Sequence, residues 1–414
     1  MFNPFNDRRP TGWLLGLALL LSHAVSLAET LEVGILNNSG TQRSFYTAFA
    51  RQFEQRHPDI QVEFLFKNDA DYKASLSDWF RRGNGPQVLN WQGGERLFQY
   101  VRKGYVASVS ELWQSRKLTD RFTTGAIGAV TLDNDQYGIP ISYYQWGFYY
   151  RKSLFEDLNL SPPEDWSEFL AVGARLKREG IIPITMGATN HWPTAAWFDY
   201  FNLRINGLEF HQQLLKGEIP FTDPQVAEVF TKWKLLLDRG YFAPQYTRWE
   251  WAQAMPFLYH KMAGMTLIGN FFAASMPPAL KDDFDYFSFP RINPEIPIYE
   301  EAPLDLFMIP AYAEGHPAAK KFLLAVADAE FQSDLNSRLG MISPNTHSET
   351  SDDYFIRKGA QALNRAQGLS QFFDRDTSDA MAQAATRIFS EFMASRDIEQ
   401  TLTKLERARQ EHLR

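Results

Sequence analysis

The sequence predicts an α/β fold of two lobes, each an open mixed sheet flanked by helices. Apolar patterns typical of strands alternate with amphipathic helical patterns, first along residues 31–101 and again after residue 140. A chain of 414 residues is also too long for one core. We expect one lobe to hold residues 29–140 and about 290–340, and the other residues 141–289 and about 341–414, with a hinge between them.

The first lobe is predicted from three strands that alternate with helices. The strand patterns cover residues 31–36, 60–66 and 87–91. The helix after the first strand opens near Ser39 and carries apolar residues four apart at Phe45, Phe49 and Phe53. Strands separated by helices form βαβ units, so we expect a mostly parallel sheet here.

The second lobe repeats the alternation. A strand over residues 147–151 precedes a helix that starts with a capping box at residues 165–168, and a further strand covers residues 180–185. Prolines and aromatic residues between 284 and 297 indicate a second crossing between the lobes. Beyond residue 317 the chain is predicted to be mostly helical.

The N-terminus has the order of features found in secretory signal peptides. Arg8 and Arg9 precede an apolar run at residues 13–21, which small residues follow at 26–28. We therefore expect residues 1–28 to be a signal peptide. Since the sequence contains no cysteine, we expect neither a lipid anchor nor disulfides, and a soluble protein free in the periplasm.

Composition and missing motifs argue against several functions. A net charge of -7 disfavours nucleic acid as a partner. The sequence has no Walker P-loop, no His-Glu-x-x-His and no Gly-x-Ser-x-Gly. Glu300, Glu301 and Asp305 could supply the carboxylate pair of a glycosidase, but adjacent acids beside a proline are more typical of a solvated bend. We expect binding without catalysis, and neither cofactor nor metal.

A set of short motifs runs in a fixed order along the chain. It comprises Tyr137-Gly138-Ile139-Pro140, residues 148–155, residues 163–170, residues 264–271 and residues 371–376. Together they resemble family 1 extracellular solute-binding proteins, the sugar-binding components of bacterial ABC importers (the maltose-binding protein group), over essentially the whole mature chain. The resemblance implies the type II periplasmic binding protein fold. It also implies a carbohydrate ligand, with an oligosaccharide favoured, and delivery to membrane permease subunits. We expect a monomer.

Three predicted strands of the first lobe end in candidate ligand contacts, because ligands of open α/β sheets lie beyond the carboxyl ends of the strands. Asn38 follows the first strand and Asp69 the second, although helix capping or a plain loop position would also explain them. Trp91 ends the third strand. The resemblance implies that this Trp stacks on sugar and that Glu95 and Arg96 bind hydroxyl groups. A solvated helix face is the alternative for that pair.

The stretch Tyr143–Tyr150, with the sequence YYQWGFYY, holds six aromatic rings in eight residues. From Gly147 onward we expect a strand whose rings pack in the second lobe. Tyr144 and Trp146 precede it, just past the first crossing, and we expect both at the floor of the cleft. The resemblance also places a ligand contact at Tyr144.

Further candidates come from the resemblance in the second half of the chain. It implies a stacking aromatic residue beside a proline, for which we favour Trp192 over Trp197. Trp249 and Trp251 lie two residues apart, and one of them could reach the cleft or anchor its loop instead. Residues 372–375 are expected to edge the cleft. The remaining candidates are Asn270, Phe271 and Asp305.

Two alternative functions stay open from the sequence. The same fold could bind a polyol or a glycerol phosphodiester, because residues 39–41 at a helix N-terminus could hold an anion. A periplasmic glycosidase using Glu301 and Asp305 is the other.

Overall fold

The computed structural model describes Met1 and residues 28–37, 39–349 and 351–413. Of the predicted signal peptide, only Met1 and Ala28 fall within these residues. The strands are β1 Glu29–Leu36, β2 Ile60–Lys67, β3 Val88–Gln92, β4 Thr131–Leu132, β5 Asp135–Gln136, β6 Ile139–Tyr143, β7 Trp146–Arg151, β8 Ile182–Ile184, β9 Ala263–Gly269, β10 Phe284–Phe287, β11 Tyr299–Glu301, β12 Leu304–Met308 and β13 Gly368–Ser370.

Helices connect and cover these strands. They are α1 Gly40–Arg56, α2 Asp69–Arg82, α3 Glu95–Arg102, α4 Ser110–Ser115, α5 Thr124–Gly128, α6 Lys152–Asp157, α7 Trp166–Arg178, α8 Pro193–Ile205, α9 Gly207–Leu215, α10 Pro224–Asp238, α11 Trp251–Tyr259, α12 Phe271–Ser275, α13 Pro278–Lys281, α14 Pro317–Ala327, α15 Ala329–Leu339, α16 Tyr354–Arg365, α17 Asp379–Ser395 and α18 Ile398–His412. Short 3₁₀ turns lie at Leu118–Asp120, Tyr246–Arg248, Ala311–Ala313 and Phe373–Arg375. None of the described helices is long and apolar enough to cross a membrane.

The first large sheet has the strand order β2-β1-β3-β12-β6. β1 runs parallel to β2 and β3, as the βαβ pattern predicts, whereas β12 runs antiparallel to β3 and β6. β12 enters from much later in the chain, and its Asp305 pairs with Gln92 of β3. The sheet therefore combines strands from two distant parts of the sequence.

The second large sheet has the order β10-β7-β9-β8. β7 lies antiparallel to β10 and β9, and β8 lies parallel to β9. Within β7, Phe148, Tyr149 and Tyr150 are buried among other aromatic rings, as expected for the second half of the YYQWGFYY stretch.

Two hydrophobic cores correspond to the two lobes. One contains buried side chains from residues 31–143 and 302–342, and the other from residues 146–289 and 372–408. The chain crosses between them after Tyr143, again between Phe289 and Ala302, and a third time between Leu363 and Phe372. α16 belongs to both, since Phe355 packs in the second core and Ile356 in the first. The two-lobed α/β fold is thus confirmed, while the exact lobe boundaries stay predictions.

Local sequence explains where several of these elements begin. The Ser39 hydroxyl caps α1 by accepting a hydrogen bond from the Gln42 amide at 3.1 Å. Asp165 caps α7 through the Glu168 amide at 2.9 Å. α8 begins with Pro193. Proline suits the first position of a helix, because an N–H there would have no partner within the helix. Trp192 directly precedes this helix, and its ring meets that of Trp146 in β7 edge-on at 5.9 Å.

Candidate functional site

The carboxyl edge of the first sheet presents three polar side chains. β1 and β3 are parallel, with Val33 opposite Val88, so that Asn37 and Gln92 lie at the same level just beyond the paired residues. Asp305 of β12 pairs with Gln92 from the other side. The side-chain oxygens of Asn37 and Gln92 are buried and have no hydrogen-bond partner among the described residues. Buried acceptors of this kind are costly unless something donates to them.

Asp305 is the centre of a polar cluster between the lobes. It accepts a hydrogen bond of 2.6 Å from the Tyr144 hydroxyl and one of 3.2 Å from Arg375. The Arg375 guanidinium also lies 5.2 Å from the centre of the Tyr144 ring. Burial raises the pKa of Asp305, and the positive charge of Arg375 partly opposes that rise. Burial, followed by the charge of Asp305, raises the pKa of Tyr144 well above its ordinary value, so that the phenol stays a donor.

Aromatic rings line the other side of this cluster. The Trp146 ring stacks on Phe372 at 4.8 Å and meets Trp192 edge-on at 5.9 Å. Phe271 lies 6.1 Å from Trp146 and 6.0 Å from Tyr144. We call this group the aromatic wall, and its members are Tyr144, Trp146, Trp192, Trp251, Phe271 and Phe372.

Part of the aromatic wall remains open to solvent. Tyr144, Trp192, Trp251 and Phe271 are only half-buried. The indole N–H of Trp146 is buried and has no acceptor among the described residues. Flat apolar surface therefore stands beside unused polar atoms, an arrangement that suits a ligand with apolar faces and a polar rim.

Arg96 connects the first lobe to the last part of the chain. From α3 it contacts the carboxylates of Asp374 at 3.2 Å and Asp379 at 2.7 Å. Its side chain is 8% exposed. α17, which begins at Asp379, packs on α8 in the second lobe, so these ion pairs bridge the lobes. Glu95, by contrast, pairs with Arg102 of its own helix.

Two predicted tryptophans lie inside the lobe cores instead of in the candidate site. Trp91 stacks on Tyr72 at 6.2 Å, and its indole N–H donates to the Arg96 carbonyl at 2.9 Å. Trp197 packs among the rings of the second core, including Phe242 at 4.8 Å. Both side chains are almost completely buried. Each ring packs against other side chains of its own lobe, which leaves no free face for a ligand. The packing therefore argues against ligand stacking by Trp91 or Trp197, which stays a prediction.

Two further candidates occupy structural or exposed positions. Asp69 is exposed at the start of α2 and pairs with Lys73 at 2.9 Å. The Trp249 ring lies 4.7 Å from Phe257, whereas Trp251 belongs to the aromatic wall.

Asn270 is buried and ties protein segments together. Its oxygen accepts from the Gln145 amide at 3.3 Å and its amide donates to the Gly340 carbonyl at 2.9 Å. Asn38 lies outside the described residues. The structure thus brings together Tyr144, Trp146, Trp192, Phe271 and Asp305 of the predicted set, with Arg96 bridging beside them.

Sequence reasoning did not select Gln92, favoured Asn38 over its neighbour Asn37, and included Arg375 only within the segment 372–375 that was expected to edge the cleft. Asn37 and Gln92 carried a usable signal, since both follow or end predicted strands of the first lobe. For Arg375 the only signal in the sequence was its position in the segment 372–375, because its partner Asp305 lies 70 residues away.

Glu300 and Glu301 are buried, so the expectation that they form a solvated bend was wrong. Their exposed fractions are 2% and 0%. Arg204 makes burial of Glu300 possible through an ion pair of 2.8 Å, and Tyr200 donates to the same carboxylate at 2.9 Å. A buried charge persists when it is paired and hydrogen-bonded in this way.

Comparisons with known proteins identify the family of this chain. Residues 37–333 match the family described as bacterial extracellular solute-binding protein. An ABC transporter extracellular-binding protein of Pyrococcus horikoshii is 23% identical, over 91% of this chain and 86% of its own.

Solved structures share the fold over nearly the full length. The bacterial solute receptor AcbH superposes with a TM-score of 0.85 at 25% identity, over 92% of this chain and 98% of its own. A chitin oligosaccharide binding protein gives a TM-score of 0.84 at 20% identity, over 93% and 99%. With a two-lobed fold and most of its length matched, this chain belongs to the bacterial extracellular solute-binding protein family.

Proposed function

We propose that this protein binds a carbohydrate between its lobes and delivers it to the permease of an ABC transporter. The observation that carries the proposal is the aromatic wall beside the Asp305–Arg375 ion pair, with Tyr144 in contact with both. A pyranose has apolar C–H faces that stack on rings and a rim of hydroxyls that pair with carboxylate, guanidinium and amide groups. The buried oxygens of Asn37 and Gln92 would accept from such hydroxyls.

Names of similar proteins support the ligand class. AcbH is described as having an exclusive preference for β-D-galactopyranose, and other structures with the same fold are named for chitin oligosaccharide and maltose. A relative from Streptococcus mutans, 23% identical over 46% of this chain and 45% of its own, is called a multiple sugar-binding protein. We favour an oligosaccharide, because the aromatic wall offers more than one half-buried ring.

The two-lobed fold gives the permease a way to recognise the ligand-bound protein. A ligand that contacts both lobes stabilises their closed arrangement, and the closed form differs in shape from the open one. A permease that docks on both lobes would distinguish the two forms. We propose that the protein acts as a soluble monomer in the periplasm, exported by a signal peptide at residues 1–28 and not lipid-anchored, and that it catalyses no reaction.

Intrinsic tryptophan fluorescence and calorimetry against a sugar panel test this function. The panel comprises galactose, maltose, chitobiose and xylobiose, with glycerol phosphodiesters, polyols and amino acids as comparison ligands. We expect one or more sugars to bind with an affinity that does not change with salt, since a neutral ligand is not screened. Saturable binding of a phosphodiester or amino acid alone, weakening as salt rises, would overturn the carbohydrate assignment.

A further inference from the structure

A second group of polar side chains is buried near the second crossing between the lobes. Asp199 comes from α8, His211 from α9 and Glu301 from β11, and each is 0% exposed. One ligating atom from each lies within 4.8 Å of the others. The imidazole Nε2 of His211 is 3.8 Å from Oδ1 of Asp199. Three elements of the fold therefore aim acceptor-type side chains at one point.

The atoms that face this point receive no hydrogen bond from a donor group of the described residues. Asp199 Oδ1, His211 Nε2 and both carboxylate oxygens of Glu301 are buried, and the two carboxyl groups are close enough to hydrogen-bond to each other when one of them is protonated. The opposite sides of two of these groups are held in place. Asp199 Oδ2 accepts from the Phe373 amide at 2.7 Å, and His211 Nδ1 lies 2.9 Å from the Asn202 side-chain amide.

The charges around this group leave it in need of a cation. The carboxyl groups of Asp199 and Glu301 lie side by side, and Glu300 adjoins Glu301 in the chain. The nearby guanidinium of Arg204 is already paired with Glu300. Two buried carboxyl groups without a counter-charge are expensive, and a proton or a metal ion must neutralise them.

We propose that Asp199, His211 and Glu301 form a buried site for one divalent transition-metal cation of the zinc type. Two carboxylates and a neutral imidazole are the oxygen and nitrogen donors that Zn²⁺ takes, whereas Ca²⁺ and Mg²⁺ prefer oxygen alone. At the 4.8 Å limit, an ion equidistant from the three atoms lies about 2.8 Å from each. Small carboxyl rotations close that to the about 2.0–2.2 Å of zinc bonds.

Asn202 contacts Nδ1 of His211, on the side of the ring that points away from the carboxylates. In the structure the Asn202 side-chain oxygen accepts from the Asn206 amide at 2.8 Å, so metal binding requires both amides to turn until the Asn202 oxygen accepts from Nδ1–H of His211 and the Nε2 lone pair faces the carboxylates. Metal-bound histidines are commonly oriented by such a second contact. The ion would fasten β11, in the segment that returns to the first lobe, to α8 and α9 of the second. This site is separate from the proposed sugar site and does not depend on it.

Metal content of the full chain tests the proposal without any sugar. The protein is stripped with EDTA, given Zn²⁺ and dialysed against metal-free buffer, and zinc is then measured by mass spectrometry. We expect one zinc per chain, a higher thermal unfolding midpoint with Zn²⁺ than with equal Ca²⁺ or Mg²⁺, and visible absorption bands when Co²⁺ replaces zinc. A wild-type chain that retains no stoichiometric zinc or cobalt overturns the proposal, because the carboxyl groups then share a proton instead.

Variants locate the ion. Glu301→Gln keeps the shape of the side chain and removes its charge, and we expect it to weaken zinc binding by about 100-fold or more. His316→Asn is the matched control, since His316 forms an imidazole–carboxylate pair with Glu29 at 3.3 Å on the surface; zinc binding should be unchanged. Wild-type affinity in Glu301→Gln contradicts the site. If that variant does not fold, the cobalt spectrum of the wild type still decides, since it must show nitrogen and oxygen ligation.

Discussion

The hydroxyl of Tyr144 lies 2.6 Å from a carboxylate oxygen of Asp305, although the two residues are 161 positions apart in the sequence. Tyr144 follows the first crossing between the lobes, and Asp305 lies on β12 just after the second. Their hydrogen bond therefore joins the first two crossings at the centre of the proposed ligand site. Arg375 approaches the same carboxylate from the end of the chain.

Asp305→Asn tests whether this carboxylate contributes to binding. Asparagine keeps the shape but cannot balance Arg375, and a hydrogen bond to a charged group contributes about 1.5–3 kcal/mol. We expect the affinity for the best sugar of the panel to fall about 10- to 100-fold in calorimetry. Asp69→Asn, an exposed position, is the control and should bind normally. Equal affinities in the two variants would remove Asp305 from the site.

Tyr144→Ala and Tyr150→Ala separate binding from folding. Tyr144 is half-buried in the aromatic wall, so its loss should weaken sugar binding with little change in the free energy of unfolding. Tyr150 is buried and its ring lies 4.3 Å from that of Phe155, so its loss should cost about 3–5 kcal/mol of stability. Urea unfolding and fluorescence titration measure both quantities. The reverse pattern would show that the roles are exchanged.

Single Trp→Phe variants identify the tryptophans whose fluorescence changes when ligand binds. Trp192 is a half-buried member of the aromatic wall, and Trp146, which is 3% exposed, packs edge-on against it. Trp91 and Trp197 pack inside their lobe cores. We expect Trp146→Phe or Trp192→Phe to reduce the ligand-induced fluorescence change markedly. Trp91→Phe and Trp197→Phe should leave that change intact. A signal lost only with Trp91 would restore its predicted role in stacking.

Arg96→Met tests the bridge between the lobes. Arg96 is 8% exposed and its partners Asp374 and Asp379 are 23% and 33% exposed, so removing the guanidinium leaves two partly buried carboxylates unpaired where the lobes meet. We expect a larger radius of gyration for the ligand-free variant in small-angle X-ray scattering, together with weaker sugar binding. Arg102→Met is the control, because Arg102 pairs within its own helix and is 50% exposed. Identical scattering from both variants would argue against a bridging role.

Asp376 predicts a pH dependence of stability. Burial raises the pKa of its carboxyl group to about 7, above the ordinary value of about 3.9 expected in the unfolded chain. The folded state then holds the proton more tightly, so Asp376 lowers stability progressively as the pH rises from about 4 to about 7. The Asp376→Asn variant does not show this decrease in stability with rising pH. Its free energy of unfolding, measured by urea, should rise relative to wild type between pH 5 and pH 8; a constant difference would contradict the raised pKa.

Much of the fold was predictable because its signals are local. Side chains alternate along a strand and recur every three to four residues along a helix, so short windows of sequence revealed β1, α1, β2 and β7. Capping by Ser39 and Asp165 likewise depends on residues three positions away. The antiparallel entry of β12 into the first sheet depends on pairing across more than 200 residues, and no local pattern marks it.

By itself, the sequence determined the two-lobed α/β fold and the strand ends and aromatic segments from which the site is built. Tertiary structure alone decided which side chains meet. It turned Trp91 into its lobe core, paired Arg375 with Asp305 and Arg96 with Asp374, and buried Glu301 beside Asp199 and His211. The physical reason is that burial and ion pairing depend on how distant elements pack, and the spacing of residues along the chain carries no record of that packing.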